Sequence, residues 1–122
     1  MPRPVHFELS VENPERAITF YQNTFGWRVQ TWEGPMEYWL VMTGLEQPGI
    51  DGGFTRRQPG QGAGTVNTLS VPNIDEAIAA VTRNGGQVVM PKQAIPGVGY
   101  IAYCLDTEGN TFGIMQSDES AR

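Results

Sequence analysis

The sequence has few of the residues that disulfides or nucleic-acid binding require. Cys104 is its one cysteine, so no internal disulfide can form, which suits a reducing compartment. Lys and Arg number 8 against 13 Asp and Glu, which gives a net charge of −5, and the longest basic run is Arg56-Arg57. Because such a surface repels phosphate backbones, nucleic acid is not expected as a partner. The acidic balance mildly favours cationic small molecules.

Long apolar segments are also missing. No run approaches the roughly 20 residues of a membrane span, and the first residues lack the pattern of a secretory signal. We therefore expect a cytoplasmic protein that does not bind membranes. A length of 122 residues fits one compact domain with a modest core.

The sequence contains an internal repeat at an offset of 60 residues. When residues 6–56 are aligned without a gap on residues 66–116, 11 of the 51 positions are identical. Typical residue frequencies give about three matches by chance. The matches include Leu9/Leu69, Asn13/Asn73, Gly26/Gly86, Gly49/Gly109 and Gly53/Gly113. The chain is therefore interpreted as two copies of one module.

Each module has the same pattern of predicted elements. Residues 6–11 alternate between apolar and polar side chains, as in a strand, and Asn13-Pro14 begins a helix that Gly26 ends. Three extended segments follow, and the second copy repeats this order from Thr65 onward. The predicted fold is α+β, with two βαβββ modules that form a curved mixed sheet around a cleft.

The boundaries of the modules follow from composition. Module one covers residues 5–57 and module two covers residues 65–116. Between them, residues 58–64 are rich in Gly, Gln and Pro, as in a flexible linker. Residues 117–122 are predicted to be a tail.

Two segments resemble one known superfamily. They are the stretch Asn13–Gly26, which begins Asn-Pro-Glu-Arg-Ala, and the turn Asp106-Thr107-Glu108-Gly109-Asn110 with Thr111-Phe112-Gly113 after it. Together with the doubled βαβββ pattern, they resemble the vicinal oxygen chelate superfamily, which contains glyoxalase I, extradiol dioxygenases and bleomycin-binding resistance proteins. The resemblance covers residues 5–116 and implies a single domain of this type that forms a homodimer.

The resemblance also implies four positions for metal ligands. In each module, one lies on the first strand and one on the last strand. His6 matches one of them, whereas Val66, Gly53 and Gly113 stand at the other three. Since a divalent cation with an open position needs about three protein ligands, we expect neither a metal nor another cofactor.

Strand alternation nominates the side chains of the cleft. His6 and Glu8 are candidate catalytic residues on the first strand. The two glycines leave bare backbone for a ligand close to the sheet, or else mark bulges or tight packing. The candidate ligand-binding residues are Ser10, Trp39, Gly53, Thr68, Tyr100, Gly113 and Met115. Tyr38, Trp32 and Tyr103 are further candidates for the cleft wall.

The roles of His6 and Glu8 stay open between two interpretations. In one, they form a hydrogen-bonded pair in which Glu8 acts as a base beside a carbonyl group. In the other, Glu8 is a structural carboxylate paired with an arginine or a tyrosine hydroxyl, and His6 has no function. A carboxylate at a central strand position is costly unless it is paired.

The function expected from these observations is metal-independent binding of a small organic molecule in the cleft, with a cationic molecule as one option. The alternative is a lyase, isomerase or dioxygenase of the same superfamily with an atypical site around His6 and Glu8. A third option is a cleft without function in a domain that binds other proteins. Whether the chain is an enzyme is left open at this point.

Overall fold

The computed structural model describes all 122 residues and confirms the α+β fold with two βαβββ modules. It forms two compact units, one of residues 6–65 and the other of residues 66–122 together with residues 1–5. The elements in chain order are β1 (Arg3–Val11), α1 (Pro14–Phe25), β2 (Arg28–Thr31), β3 (Trp39–Met42), β4 (Gly52–Arg56), β5 (Thr65–Ser70), α2 (Ile74–Arg83), β6 (Gln87–Ile95), β7 (Gly99–Leu105) and β8 (Thr111–Ser117).

The strands of module one lie in the order β2-β3-β4-β1. β1 and β4 are parallel, whereas β2–β3 and β3–β4 are antiparallel. The buried side chains Val11, Val41 and Phe54 form the core, and Ala17, Ile18 and Tyr21 of α1 pack against them. One face of this sheet is therefore covered by the helix, and the alternate residues of each strand point to the other face.

Module two repeats this arrangement in the order β5-β8-β7-β6. β5 and β8 are parallel, and β8–β7 and β7–β6 are antiparallel. The core again lies between the sheet and its helix, α2. Its buried members are Val71, Ile74, Ala102, Cys104 and Ile114.

Both helices begin at the predicted asparagine. The side chain of Asn13 accepts a hydrogen bond from the amide of Arg16, and the side chain of Asn73 does the same for Glu76, each at 3.0 Å. α1 ends at Gly26, whose φ of 74° is the left-handed conformation that glycine adopts without strain. After α2 the left-handed residue is Gly85, with φ 95°, rather than Gly86.

The sequence alignment matched the two modules without a gap at a fixed offset of 60. In the structure, the two modules correspond only when gaps are allowed. Leu40 pairs with Gly53 and Tyr103 pairs with Gly113, so the third strands correspond at an offset of 63. Accordingly, Leu45 is 98% exposed in a loop, whereas Leu105 lies in β7. The first and last strands keep the offset of 60, because the loops of module one compensate for the difference.

The last residues of the chain are packed against module two. The amide of Asp118 donates to Val98 O at 2.9 Å, and the amide of Gly97 donates to Ala121 O at 3.0 Å. Ala121 itself is fully buried. No helix of the chain is both long enough and apolar enough to cross a bilayer.

Candidate functional site

The polar face of β1 presents His6 and Glu8. Phe7 and Leu9 pack on the helix side of the sheet, so the alternate residues His6 and Glu8 point to the face that α1 does not cover. Glu8 lies opposite Gly53 of the parallel strand β4. This register places a carboxylate beside a residue that has no side chain.

Tyr38 fills the space above Gly53. A Cβ atom built on Gly53 would overlap the phenol ring of Tyr38 and its hydroxyl. The ring comes from the connection between β2 and β3, which is closed by a hydrogen bond of 2.9 Å from the amide of Trp32 to Tyr38 O. The bare backbone at residue 53 is therefore covered by a side chain of the same module.

The Tyr38 hydroxyl joins His6 to Glu8. Tyr38 Oη lies 2.7 Å from His6 Nε2 and donates to Glu8 Oε2 at 3.1 Å. A hydroxyl has one proton to donate, and a carboxylate can only accept. When that proton goes to Glu8, His6 must donate from Nε2, which assigns the imidazole tautomer with its proton on Nε2.

The protonation of His6 depends on its burial. Burial lowers the pKa of His6 below its ordinary value of 6.5, while the carboxylates of Glu8 and Asp51 act in the opposite direction. The neutral imidazole is therefore favoured near pH 7. With both carboxylates ionised, this corner of the module has a net negative charge.

Aromatic rings surround the Tyr38 phenol. Trp32 meets it edge to face, with ring centroids 6.0 Å apart, and the His6 ring lies nearly parallel to it at 6.3 Å. Asp51 lies directly before β4, where its carboxylate accepts a hydrogen bond of 2.9 Å from the amide of Thr43. We call His6, Glu8, Tyr38 and Gly53 the tyrosine corner; the name refers here only to these four residues and not to the motif of β-sandwich proteins.

The other two candidates of module one lie outside the tyrosine corner. The hydroxyl of Ser10 donates to Gly62 O of the linker at 3.2 Å. Trp39 packs against the core on the helix side, and the guanidinium of Arg56 lies 5.8 Å from the centroid of its ring. Trp39 was expected on the cleft face, but it alternates with Leu40, the residue that pairs with Gly53.

The candidates of module two divide between its two faces. Thr68 lies opposite Gly113, which repeats the pairing of Glu8 with Gly53, and Met115 follows on the same face as Gly113. Tyr100 instead packs with the core on the helix side, and the ammonium of Lys92 lies 4.7 Å from the centroid of its ring.

A groove of module one lies away from the tyrosine corner. It has a volume of about 600 Å³ and is open to solvent at the start of α1. Its charged side chains include both acids and bases, and Arg56 is already paired with Glu37 at 2.8 Å. We place the candidate site at the tyrosine corner because an imidazole, a carboxylate and a phenol are joined there by hydrogen bonds.

A divalent metal does not fit the residues of this site. His6 and Glu8 supply two ligand groups, and the third position in the module is Gly53, which is covered by the Tyr38 ring. No group of three or more His, Cys, Asp or Glu side chains in the chain could hold a metal ion. The donor set thus falls short of the three protein ligands that an open metal site uses.

Tyr38 was expected only as a wall residue, and its place in the hydrogen-bond network was missed. It lies just before β3, in a loop, where strand alternation gives no orientation. One signal was present, since an unpaired carboxylate at Glu8 requires a polar partner. The sequence contains arginines and several tyrosines that could be this partner, and nothing in it distinguishes them.

Comparisons with known proteins agree with this fold. A 30% identical relative, a glyoxylase-like domain-containing protein of Didymella fabae, aligns over 112 residues, which are 88% of each chain. Methylmalonyl-CoA epimerase from Mycobacterium tuberculosis superposes with a TM-score of 0.71 at 12% identity, covering 94% of this chain and 87% of that chain.

The epimerase of Streptomyces coelicolor, in complex with 2-nitronate-propionyl-CoA, has a TM-score of 0.67 at 15% identity and covers 98% of this chain and 97% of that one. At such identities the structural matches show the fold alone. The family model described as Glyoxalase/Bleomycin resistance protein/Dioxygenase superfamily matches residues 3–114. This match confirms the resemblance drawn from the two sequence segments, and the chain belongs to that superfamily.

Proposed function

We propose that the chain binds a small organic molecule at the tyrosine corner without a metal. The observation that carries the proposal is the position of the Tyr38 hydroxyl, between His6 Nε2 and Glu8 Oε2 and above Gly53. Polar groups that converge on one point at the face of a sheet can fix the orientation of a ligand. Here they are an imidazole, a carboxylate and a phenol.

The charges of the corner favour neutral or cationic ligands. Glu8 and Asp51 both act on His6, and burial favours its neutral form. The two arginines that follow Gly53 in the sequence are engaged elsewhere, Arg56 with the carboxylate of Glu37 and Arg57 with Ser10 O at 3.1 Å. A carboxylate or phosphate ligand would therefore meet repulsion that these two cations do not offset.

Calorimetric titration tests this proposal. The probes are bleomycin and other cationic antibiotics, with methylmalonyl-CoA as the anionic comparison. We expect a cationic probe to bind with a stoichiometry near one per chain, and the CoA thioester to bind more weakly. Glu8→Gln should weaken binding roughly 10- to 100-fold, as expected for the loss of a hydrogen bond to a charged group.

Glu46→Gln is the matched control, because Glu46 is an exposed acid in a loop of the same module. It removes the same charge at an exposed residue outside the network and should leave binding within about twofold, as exposed charges contribute little. Two results contradict the proposal: no probe binds, or Glu8→Gln and Glu46→Gln weaken binding equally.

A second candidate is a metal-independent isomerase of the superfamily. The observation in its favour is the direct hydrogen bond between the Glu8 carboxylate and the Tyr38 hydroxyl, which places a base next to an acid. Such a pair can remove and return a proton beside a carbonyl group. The test is incorporation of deuterium from D2O at carbon 2 of methylmalonyl-CoA, followed by NMR. Exchange that is lost in Glu8→Gln supports this activity, and exchange no faster than in buffer argues against it.

A further inference from the structure

The tyrosine corner already holds a hydroxyl-bearing ring, namely that of Tyr38. The ring lies on the bare backbone of Gly53, and the hydroxyl has an acceptor in Glu8 and a neighbour in His6 Nε2. These contacts are those that a free phenol of the same size would need. His6, Glu8 and Gly53 thus form a small site whose occupant belongs to the same chain.

The occupant is attached to an exposed connection. Residues 33–37 are all exposed, and Met36 is 53% exposed. The connection is fixed by the hydrogen bond between Trp32 and Tyr38 and by the exposed ion pair of Glu37 with Arg56. Exposed ion pairs contribute little to stability, so this pair adds little to the cost of displacing the ring, and a ligand hydroxyl in the same place would restore the hydrogen bonds to His6 and Glu8.

We propose that the ligand enters this corner by displacing Tyr38, and that the group it presents there is a hydroxyl on a flat unsaturated frame, a phenol or an enol. This inference rests on the proposed function and names the chemical class of its ligand. Glycine at residue 53 is required for it, because any side chain would occupy the position of the ring. A neutral hydroxyl also agrees with the negative charge of the corner.

Complementation of a truncated variant tests the inference. Tyr38→Gly removes the ring, and p-cresol should bind in its place. p-Cresol is the tyrosine side chain with a hydrogen atom in place of Cα. Toluene has the same shape without the hydroxyl and should bind at least about tenfold more weakly, since it makes no hydrogen bond to Glu8. Binding is measured by the shift of the His6 imidazole signals in NMR spectra.

The control is Tyr38→Gly combined with Gly53→Ala, in which the added methyl group takes up part of the vacated space. It should lose most of the p-cresol affinity. Equal affinity for p-cresol and toluene in Tyr38→Gly, or equal affinity of the single and double variants for p-cresol, would overturn the inference.

A measurement on the unmodified protein covers the case in which Tyr38→Gly does not fold. The protein is labelled with ¹³C in its tyrosine rings, and Tyr38→Phe identifies the Tyr38 signal. Titration with p-cresol should shift that signal, and titration with toluene should not. An unshifted signal at saturating p-cresol would contradict displacement. Loss of antibiotic binding with intact p-cresol binding would instead contradict only the cationic class under the proposed function.

Discussion

The two modules have the same backbone arrangement at one position of their first strands, but the side chains at that position differ in charge and in hydrogen bonding. Glu8 lies opposite Gly53 in module one, and Thr68 lies opposite Gly113 in module two, both in parallel register. In module one the Tyr38 hydroxyl joins the Glu8 carboxylate to His6 through hydrogen bonds, and the Tyr38 ring covers Gly53. In module two the Thr68 hydroxyl is buried and has no hydrogen-bond partner in the chain.

The neighbours of the two glycines differ in the same way. The space above Gly53 is filled by the end of the Tyr38 side chain. A Cβ atom at Gly113 would lie 3.1 Å from Thr68 Oγ1 and 3.3 Å from the edge of the Tyr103 ring. The repeated backbone therefore provides two equivalent places, and module one has an imidazole and a carboxylate at its place where module two has a threonine and a tyrosine. A duplicated fold does not duplicate its function, because function depends on the side chains of the site.

The largest effect on stability is expected from a comparison of neighbouring glycines in β4. In Gly52→Ala the new methyl group would lie 2.5 Å from the backbone oxygen of Phe7, which cannot move without distorting β1. We expect a loss of about 1–3 kcal/mol in the free energy of unfolding, as for other overpacked sites. In Gly53→Ala the methyl group meets a movable side chain, so the loss should be smaller.

Urea unfolding measures both variants, and the His6 NMR signals report on the corner. Gly53→Ala should change the His6 environment while leaving most of the stability in place. If Gly53→Ala is as destabilising as Gly52→Ala, then Tyr38 is a structural part of the module and not a movable occupant.

A second prediction compares the hydroxyl groups of the two places. Thr68→Val replaces a buried hydroxyl that has no partner by a methyl group of the same shape, so we expect stabilisation by about 1 kcal/mol. Tyr38→Phe removes a hydroxyl that is hydrogen-bonded, so we expect destabilisation by about 1 kcal/mol. Thermal and urea unfolding of both variants give the sign of each change in stability. Two changes of the same sign would remove the contrast between the modules.

The smallest expected effect is a dependence of stability on pH. Because folding lowers the pKa of His6, the unfolded chain takes up its proton first as the pH falls through 6.5. This contribution to stability is therefore present above pH 6.5 and is lost below it. His6→Gln should flatten the decline in the free energy of unfolding between pH 7.5 and 5.5. An unchanged slope in the variant would show that the folded state does not lower the pKa of His6.

The sequence was sufficient to predict the elements that local rules determine. Asn13 and Asn73 mark the helix starts through their side-chain hydrogen bonds, and strand alternation places His6 and Glu8 on one face. The fixed offset of 60 failed at the third strands, because loops of different length contribute nothing to a pattern of identities. Trp39 and Tyr100 were nominated for the cleft wall because they are aromatic, and the structure packs both against the cores on the helix side of their sheets.

The content of the tyrosine corner could not be predicted in the same way. Gly53 was interpreted as open backbone for a ligand, but the space above a glycine is decided by whichever side chain folds over it. Tyr38 reaches that space from a connection 15 residues earlier in the chain. Such a contact depends on the path of a loop, which neither periodicity nor spacing determines.

The chain has a single histidine, so one NMR spectrum reports on the centre of the site. We would record the ¹⁵N–¹H correlations of the His6 ring in untagged protein at pH 7.5, before and after adding one equivalent of Zn²⁺. A neutral ring with its proton on Nε2, unchanged by zinc, is the expected result for a nitrogen that donates to Tyr38. A proton on Nδ1 instead of Nε2 would contradict the hydrogen bond from His6 to Tyr38, and a ring shifted by stoichiometric zinc would show that the corner is a metal site after all.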